Sequence, residues 1–331
     1  MNHGAGVLVV AELDVEGRPR TVSWEMLTAA RALAEESSGP VTGLIVGADV
    51  SDDLAQSWGS AGADKVLVAR DAAFAGTLPG PAAAALVKAI AEVKPAVVLV
   101  PGTTAGRDYA PLVAARLGAA LAADVIAVHQ EGGTPVAVRP VLGGRAQSRV
   151  TFTPGVLAMA TVRPGSFARA AADATSPRVD ALAVDVQPQD RRVELVETTP
   201  KGSGSSRLDS AEVVVSGGRG LQKPENFALV EDLAAAFGGA VGATRAVVDA
   251  GWRAHHEQIG QTGRTVAPKL YFAVGVSGAV QHNVGMQGAD YIVAINRDPD
   301  APIFKLASFG IVGDLFEVMP ALTQAVRDVR G

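Results

Sequence analysis

The sequence contains no cysteine. That absence excludes a disulfide scaffold, a thiol nucleophile and a cysteine-ligated iron–sulfur cluster within the chain. Long apolar runs are missing too. The longest, such as Ala96 to Val100, fall far short of the roughly 20 residues that cross a bilayer, so no direct membrane insertion is expected. The opening Met-Asn-His-Gly-Ala-Gly enters an apolar run without the charged and apolar regions of a secretory signal, which points to a cytoplasmic location. Clustered basic residues are equally scarce. With a formal net charge of −5 and no run of Lys and Arg, the chain offers no extended surface for nucleic acid, because neutralising phosphates in number needs a basic face.

What is present is material for buried parallel sheets. Apolar residues make up 48% and charged residues 19% of 331 positions, an ordered globular composition at a length that suggests two domains. Gly6 to Glu12, Val41 to Gly47, Lys65 to Ala69 and Ala96 to Val100 are short apolar runs separated by helix-length segments. Met26, Leu27, Ala30, Leu33 and Ala34 share one helical face, and Gly80-Pro81 opens a helix that runs to Val93. This alternation predicts a parallel sheet with right-handed crossovers. Gly102-Thr-Thr-Ala-Gly106 reads either as a nucleotide-holding loop or as a tight turn in which Thr103 or Thr104 caps a helix over Asp108 to Leu117. From Ile126 to Val162 the runs Val136 to Arg139, Ser148 to Thr153 and Val156 to Ala160 read as added antiparallel strands. Arg139, Arg145, Arg149 and Arg163 fall there, on solvated strand faces, at a subunit interface or toward an anionic partner. The polar run Thr198 to Arg207 has no apolar residue and marks a linker. The expected division is an amino-terminal α/β domain over residues 1–198, a linker over 199–210 and a second domain over 211–331.

In the second domain, Glu212-Val-Val-Val-Ser216 is a strand that runs into Gly217-Gly-Arg-Gly220, a turn that suits a phosphate, with Arg219 able to make paired bonds to its oxygens. The alternative is a tight turn with a surface arginine. Pro224 begins a helix through Phe237, stopped by Gly238-Gly239. The apolar setting Ala240-Val-Gly-Ala-Thr-Arg-Ala246 predicts that Arg245 is partly desolvated and needs an anionic or π-rich partner, the alternative being a salt bridge to Asp249. His255-His256 reads as a solvated pair, not a metal site. Gly260-Gln-Thr-Gly263 is too polar for the core and makes a loop that can hydrogen-bond a planar heterocycle. Leu270 to Val276 suits a strand buried on both faces. A helix is expected at once after it, capped by Ser277, with Gly278 letting the backbone come close to a ligand and His282 facing the pocket. Phosphate groups bind well at such a turn. Asn296 ends the next strand, Ile303 to Ser308 reads as a short helix, and Asp314 caps a helix over Leu315 to Met319 that Pro320 interrupts or restarts.

Six ordered blocks carry a resemblance: Val214-Val-Ser-Gly-Gly-Arg-Gly-Leu221, Val241-Gly-Ala-Thr-Arg245, Ile259-Gly-Gln-Thr-Gly263, Gly275-Val-Ser-Gly-Ala-Val-Gln-His282, Ala294-Ile-Asn296, and Pro302-Ile-Phe304 with Gly313-Asp-Leu-Phe316. Together they resemble the motif set of the electron transfer flavoprotein alpha subunit. Val97 to Gly102 and Gly106 to Gly118 extend the likeness more loosely to the amino-terminal half. The resemblance implies an α/β protein of two domains. The first is a sheet domain with added antiparallel strands, and the second a doubly wound parallel-sheet domain that binds flavin adenine dinucleotide (FAD). It further implies that the pyrophosphate sits on Ser277, Gly278, Ala279 and Val280 with help from Arg219. Thr244, Arg245, Gln261, Thr262 and His282 would surround the ring, Asn296 and Asp314 would serve the adenosine half, and Ile259, Gly260, Gln281 and Leu315 would also belong to the cofactor site. The implied partner is the electron transfer flavoprotein beta subunit, in a heterodimer. Electrons would arrive from acyl-CoA dehydrogenases, in fatty acid oxidation, and leave to a membrane quinone oxidoreductase. No general base, nucleophile or metal cluster stands out, which suits an electron carrier in preference to a substrate-converting enzyme. Thr244 stands where the family often has serine, and Trp252-Arg-Ala-His-His256 departs from the usual loop. Two other classes remain open. A nicotinamide-dependent oxidoreductase would need a Gly-x-Gly-x-x-Gly turn with an acid beyond it, and no such turn is found. A non-redox nucleotide-binding module would have no use for the Gln261-Thr262 loop or a desolvated Arg245.

Overall fold

The central strands of the amino-terminal half are short runs of Val, Leu, Ile and Ala with both faces buried, and such strands are stable only inside a sheet that helices cover on each side. The computed structural model describes residue 4, residues 6–144, 146–171 and 176–197, residue 208 and residues 211–330. By its internal contacts the chain divides into two units, Met1–Thr198 and Thr199–Gly331. The linker expected over residues 199–210 lies, apart from Leu208, outside the described residues, as does Arg145.

The first unit contains β1 (Val7–Val10), β2 (Val41–Gly47), β3 (Lys65–Arg70), β4 (Val97–Pro101), β5 (Ala120–Val125), β6 (Ala127–Glu131), β7 (Thr134–Val141), β8 (Ala146–Thr151), β9 (Ala158–Val162) and β10 (Arg178–Ala181). Seven of them form one parallel sheet in the order β10-β3-β2-β1-β4-β9-β5. Helices α1 (Thr21–Ser37) and α2 (Asp52–Gly59) cover one face, with Met26, Leu27, Ala30, Leu33 and Trp58 in a common core. The other face is covered by α3 (Pro79–Val93) and α4 (Thr104–Leu117), which bury Leu86, Ile90, Tyr109 and Val113. Strands β6, β7 and β8 form the separate antiparallel sheet.

One expected antiparallel strand is not antiparallel. The run beginning at Val156 becomes β9, which pairs in parallel with β4 and β5, and all five of its residues are buried, as a central parallel strand requires. Two of the arginines of this region, Arg163 and Arg149, pair within the unit. Arg163 makes two bonds to Asp124, Nε to Oδ1 at 2.9 Å and a terminal nitrogen to Oδ2 at 2.5 Å, and this pairing holds the Asp124 carboxyl below its ordinary range against the effect of burial. Arg149 pairs with Glu131.

The second unit contains β11 (Val213–Gly217), β12 (Ala240–Ala243), β13 (Leu270–Val274), β14 (Tyr291–Asn296) and β15 (Phe309–Val312), all parallel, in the order β12-β11-β13-β14-β15. Among the described residues its helices include α5 (Phe227–Phe237), two one-turn helices α6 (Arg245–Asp249) and α7 (Val280–Asn283), and α8 (Leu315–Arg330). Successive residues of a strand point to opposite faces, so Val215, Phe272 and Val274 pack under α5 and α8, while Val214, Tyr271 and Ala273 pack with Ile259, Met286 and Ile303. Chain order reverses between β11 and β13. Doubly wound sheets bind ligands at this point, outside the carboxyl ends of the strands.

Gly238 ends α5 in the left-handed conformation, as its position predicts. The segment expected as a helix over Ile303 to Ser308 is a single tight turn over Pro302–Lys305, and the chain then enters β15, too short and too exposed to stand out in the sequence. Pro320 does not interrupt α8. It lies on the exposed side, where water can take the carbonyl that its missing N–H leaves free.

Candidate functional site

The six motif blocks converge on the carboxyl edge of the five-stranded sheet. Gly218 donates its N–H to the Val274 carbonyl at 2.8 Å and Gly220 to that of Gly275 at 3.0 Å, so the turns after β11 and β13 lie backbone against backbone. Gly275 adopts a φ of 61°, and a Cβ there would stand 2.8 Å from the Gly220 Cα. Gly218 and Gly220 are therefore needed for this close approach, which lifts Arg219 into solvent at its tip.

Beyond Gly275 the chain does not enter a helix at once. Ser277 is exposed and does not cap; α7 begins three residues later, at Val280, with Ala279 at its head, and Ser277 uses its carbonyl to accept the Ile303 N–H at 3.1 Å. A one-turn helix brings little dipole. The turn itself supplies the donors: among the described residues, none accepts a hydrogen bond from the backbone N–H of Ser277, Gly278 or Ala279. Gly278 has a φ of 87°, and a Cβ on it would meet the Ile303 nitrogen at 2.3 Å. Asn283 fixes the turn by donating to the Gly278 carbonyl at 2.9 Å.

The loop over residues 258–264 is closed on itself. Arg264 donates to the Gln258 carbonyl at 2.7 Å, Gly260 to Arg264 at 3.0 Å and Gly263 to Gly260 at 3.0 Å. Ile259 ties it to the end of β12 through the Ala243 carbonyl at 2.9 Å, and Gln261 ties it to α7 through the Gln281 carbonyl at 2.7 Å. Buried Gln258 donates to the Thr262 hydroxyl at 3.0 Å and so orients it, while Gln261 and Thr262 point outward. Thr244 follows β12 and donates its N–H to the Gly217 carbonyl at 3.1 Å.

Arg245 is not desolvated. Its side chain is 66% exposed and its Nε lies 3.2 Å from Asp249 Oδ2, because α6 turns it away from the small apolar residues that precede it. His282 also differs from expectation. It is buried beneath the rim, its Nδ1 lies 3.0 Å from the Ile259 carbonyl, and its Nε2 lies 3.0 Å from the Tyr271 hydroxyl. A carbonyl can only accept, so Nδ1 carries the hydrogen and Nε2 receives one from Tyr271. Burial pushes the His282 pKa down to about 4, opposed in part by the Ile259 carbonyl. Tyr271, Ser216 and Gln258 were not legible as site residues; a tyrosine inside an otherwise apolar buried strand is the one signal that would have found this network.

At the far end of the rim, Asn296 donates to the Val276 carbonyl at 2.9 Å and accepts from the Asp298 N–H at 3.0 Å. Asp314 Oδ1 accepts from the Phe316 N–H at 2.8 Å and caps α8, whose first residue, Leu315, is buried. Outside this edge, Thr103 caps α4 by accepting from the Gly106 N–H at 3.2 Å and donates to the buried Glu12 carboxylate, so the capped-turn reading of Gly102 to Gly106 holds. No cluster of His, Asp and Glu suited to a metal is found among the described residues, and none of their helices is long and apolar enough to cross a membrane.

Fold and rim define a doubly wound α/β protein with free backbone donors at its switch point, the chemistry that suits a phosphate-bearing cofactor. Comparison with known sequences is specific. The family model described as electron transfer flavoprotein domain matches residues 7–187, and that described as electron transfer flavoprotein FAD-binding domain matches residues 207–287. The electron transfer flavoprotein subunit alpha of Thermoanaerobacterium thermosaccharolyticum is 39% identical over 100% of both chains. That of Megasphaera elsdenii is 40% identical over 98% of this chain and 97% of its own, and that of Bacillus subtilis is 38% identical over 98% of each. The chain belongs to the electron transfer flavoprotein alpha subunits, and its second unit is the family's FAD-binding domain.

Proposed function

We propose that the chain is the alpha half of a heterodimeric electron carrier and that it holds FAD along the carboxyl rim of the β11–β15 sheet. The observation that carries this reading is the turn Ser277 to Ala279, whose backbone N–H groups have no acceptor among the described residues and stand at the switch point between β11 and β13. The fit extends outward. Arg219 sits at the next turn and presents a planar, permanently charged group to the same phosphates. Thr244, Arg245, Gln261 and Thr262 present a hydroxyl, a guanidinium, an amide and a second hydroxyl to the ring, on loops bonded to one another and to the strand ends. Asn296 and Asp314 take the adenosine half, where each also serves its own turn.

Bound FAD supplies the redox chemistry, accepting and returning one or two electrons. The protein's part is to hold the ring, exclude water from one side of it and set the charge around it. The beta subunit closes the other side of the ring, acyl-CoA dehydrogenases deliver electrons, a membrane quinone oxidoreductase removes them, and the exchange takes place in the cytoplasm. The test is the visible absorption spectrum of the chain co-expressed with its beta subunit, followed by stepwise dithionite reduction. A flavin spectrum that passes through the red, one-electron-reduced anionic form is expected. A well-folded, colourless complex that takes up no added FAD would overturn the reading.

A further inference from the structure

Beneath the rim, a buried hydroxyl lacks a partner of suitable geometry. Ser216 of β11 is fully buried and its Oγ has no hydrogen-bond partner among the described residues. It shares a sheet face with Tyr271, since Val214 pairs with Tyr271 and Ser216 with Ala273. The register sets Ser216 diagonally across from Tyr271 on that face, a spacing that an aromatic side chain spans, and burial pushes the Tyr271 phenol up. A polar chain thus runs from Ser216 through Tyr271 and His282 to the Ile259 carbonyl, at the base of the loop that carries Gln261 and Thr262.

A buried hydroxyl without a partner is a standing cost unless a second state uses it. With His282 neutral, Tyr271 donates to Nε2 and needs no acceptor beyond it. With His282 charged, Nε2–H must donate, Tyr271 must accept, and the tyrosine's own hydrogen must go elsewhere in a dry interior. Ser216 Oγ is the group beside it that can accept. On the surrounding elements Glu212 is paired with Lys269 and Glu257 with Arg253, while Arg264 keeps its positive charge and donates to the His256 carbonyl.

We propose that Ser216 and Tyr271 are positioning residues whose hydroxyls rotate to let His282 take up a proton when negative charge forms at the rim. The inference rests on the FAD reading. One N–H bond forms at Nε2, the proton comes from solvent, the O–H hydrogens rotate without any O–H bond breaking, and the bond to Ile259 persists. The added positive charge balances the electron that the cofactor receives from its donor.

The test is nitrogen NMR of 15N-histidine-labelled protein, in complex with the beta subunit, over a pH series before and after dithionite reduction. Wild type is expected to show the Nδ1–H tautomer when oxidised and a His282 pKa that rises on reduction. Ser216→Ala is expected to keep the tautomer and the neutral-pH stability but to lower the reduced-state pKa by about one unit, the loss of one buried bond supporting a charged group. Tyr271→Phe is expected to lower it further. Equal pKa values in wild type and Ser216→Ala would overturn the relay. If the complex proves colourless, the FAD reading fails by itself, and the same comparison in the FAD-free protein still decides the relay: a lower His282 pKa in Ser216→Ala upholds it, and no difference removes it.

Discussion

Gly220 and Gly275 leave no room for a side chain between them: a Cβ on Gly220 would stand 2.6 Å from the Gly275 Cα, and one on Gly275 would stand 2.8 Å from the Gly220 Cα. The two strand ends can therefore meet only as glycine against glycine, and this contact shapes the switch point. Gly275→Ala is expected to cost about 3 kcal/mol, combining a left-handed residue with a Cβ and an overlap with backbone that cannot yield. Gly238 is the control: its φ is 66°, and a Cβ on it would meet nothing within 4 Å. Gly238→Ala should cost about 1 kcal/mol. Urea unfolding of both variants checks this, and equal losses would show that the close approach is not the constraint.

His282 gives the second unit a defined pH response. Its ordinary pKa of 6.5 is pushed down to about 4 by burial. Between those values the unfolded chain binds a proton that the native state does not. Stability is therefore whole above pH 6.5 and is lost as pH falls toward about 4, by about 1.4 kcal/mol per unit and about 3 kcal/mol in all. His282→Asn keeps a donor for the Ile259 carbonyl and cannot titrate. Urea unfolding of FAD-free wild type and variant between about pH 7 and about pH 5 should show the wild type losing the difference. Parallel pH profiles would mean that His282 is not buried as the neutral form.

The central strands of the two parallel sheets were legible because buried parallel strands are continuous apolar runs, and β1, β2, β3, β4 and β13 appear close to where those runs stand, whereas β5, β10, β12 and β15 were not. Direction was not. The β9 run carries the same residues whether its neighbours run parallel or antiparallel, and only its complete burial between β4 and β5 decides. The rim was legible as a set of loops, since Gly, Ser, Thr and Gln at strand ends have few other uses. Side-chain direction on it was not: Arg245 points to solvent because one turn of helix rotates it outward, and His282 points inward because Tyr271 and Ile259 supply its two partners.

Arg253 anchors the loop that leads from α6 to Gln258. It makes bonds of 2.8 and 2.6 Å to Glu257 and 2.6 Å to Glu231 of α5, and its guanidinium lies 5.1 Å from the centre of the buried Phe227 ring. Arg253→Ala is expected to cost about 2 kcal/mol, since a paired guanidinium and its stacking surface are lost together. Arg253→Lys should recover less than half, because an ammonium cannot bond both carboxylates and cover the ring at once. Urea midpoints of the three proteins check this, and full recovery by lysine would reduce the role to charge alone.

Arg245 separates stability from function. Its ion pair with Asp249 is an exposed one on a helix turn, with side chains 66% and 61% exposed. Such pairs contribute about 0.3–0.5 kcal/mol, so Arg245→Ala should leave the urea midpoint nearly unchanged. If the guanidinium instead serves the FAD ring, its loss removes a positive charge and a flat surface where negative charge forms. The expected outcome is a variant that folds and binds FAD but accumulates less of the red, one-electron-reduced flavin during dithionite titration. Arg245→Lys should restore part of it, since charge returns without the plane. Asp249→Ala frees the guanidinium from its competitor and should raise the accumulation or leave it as in wild type. A titration of Arg245→Ala that matches wild type would confine this residue to the surface pair seen in the structure.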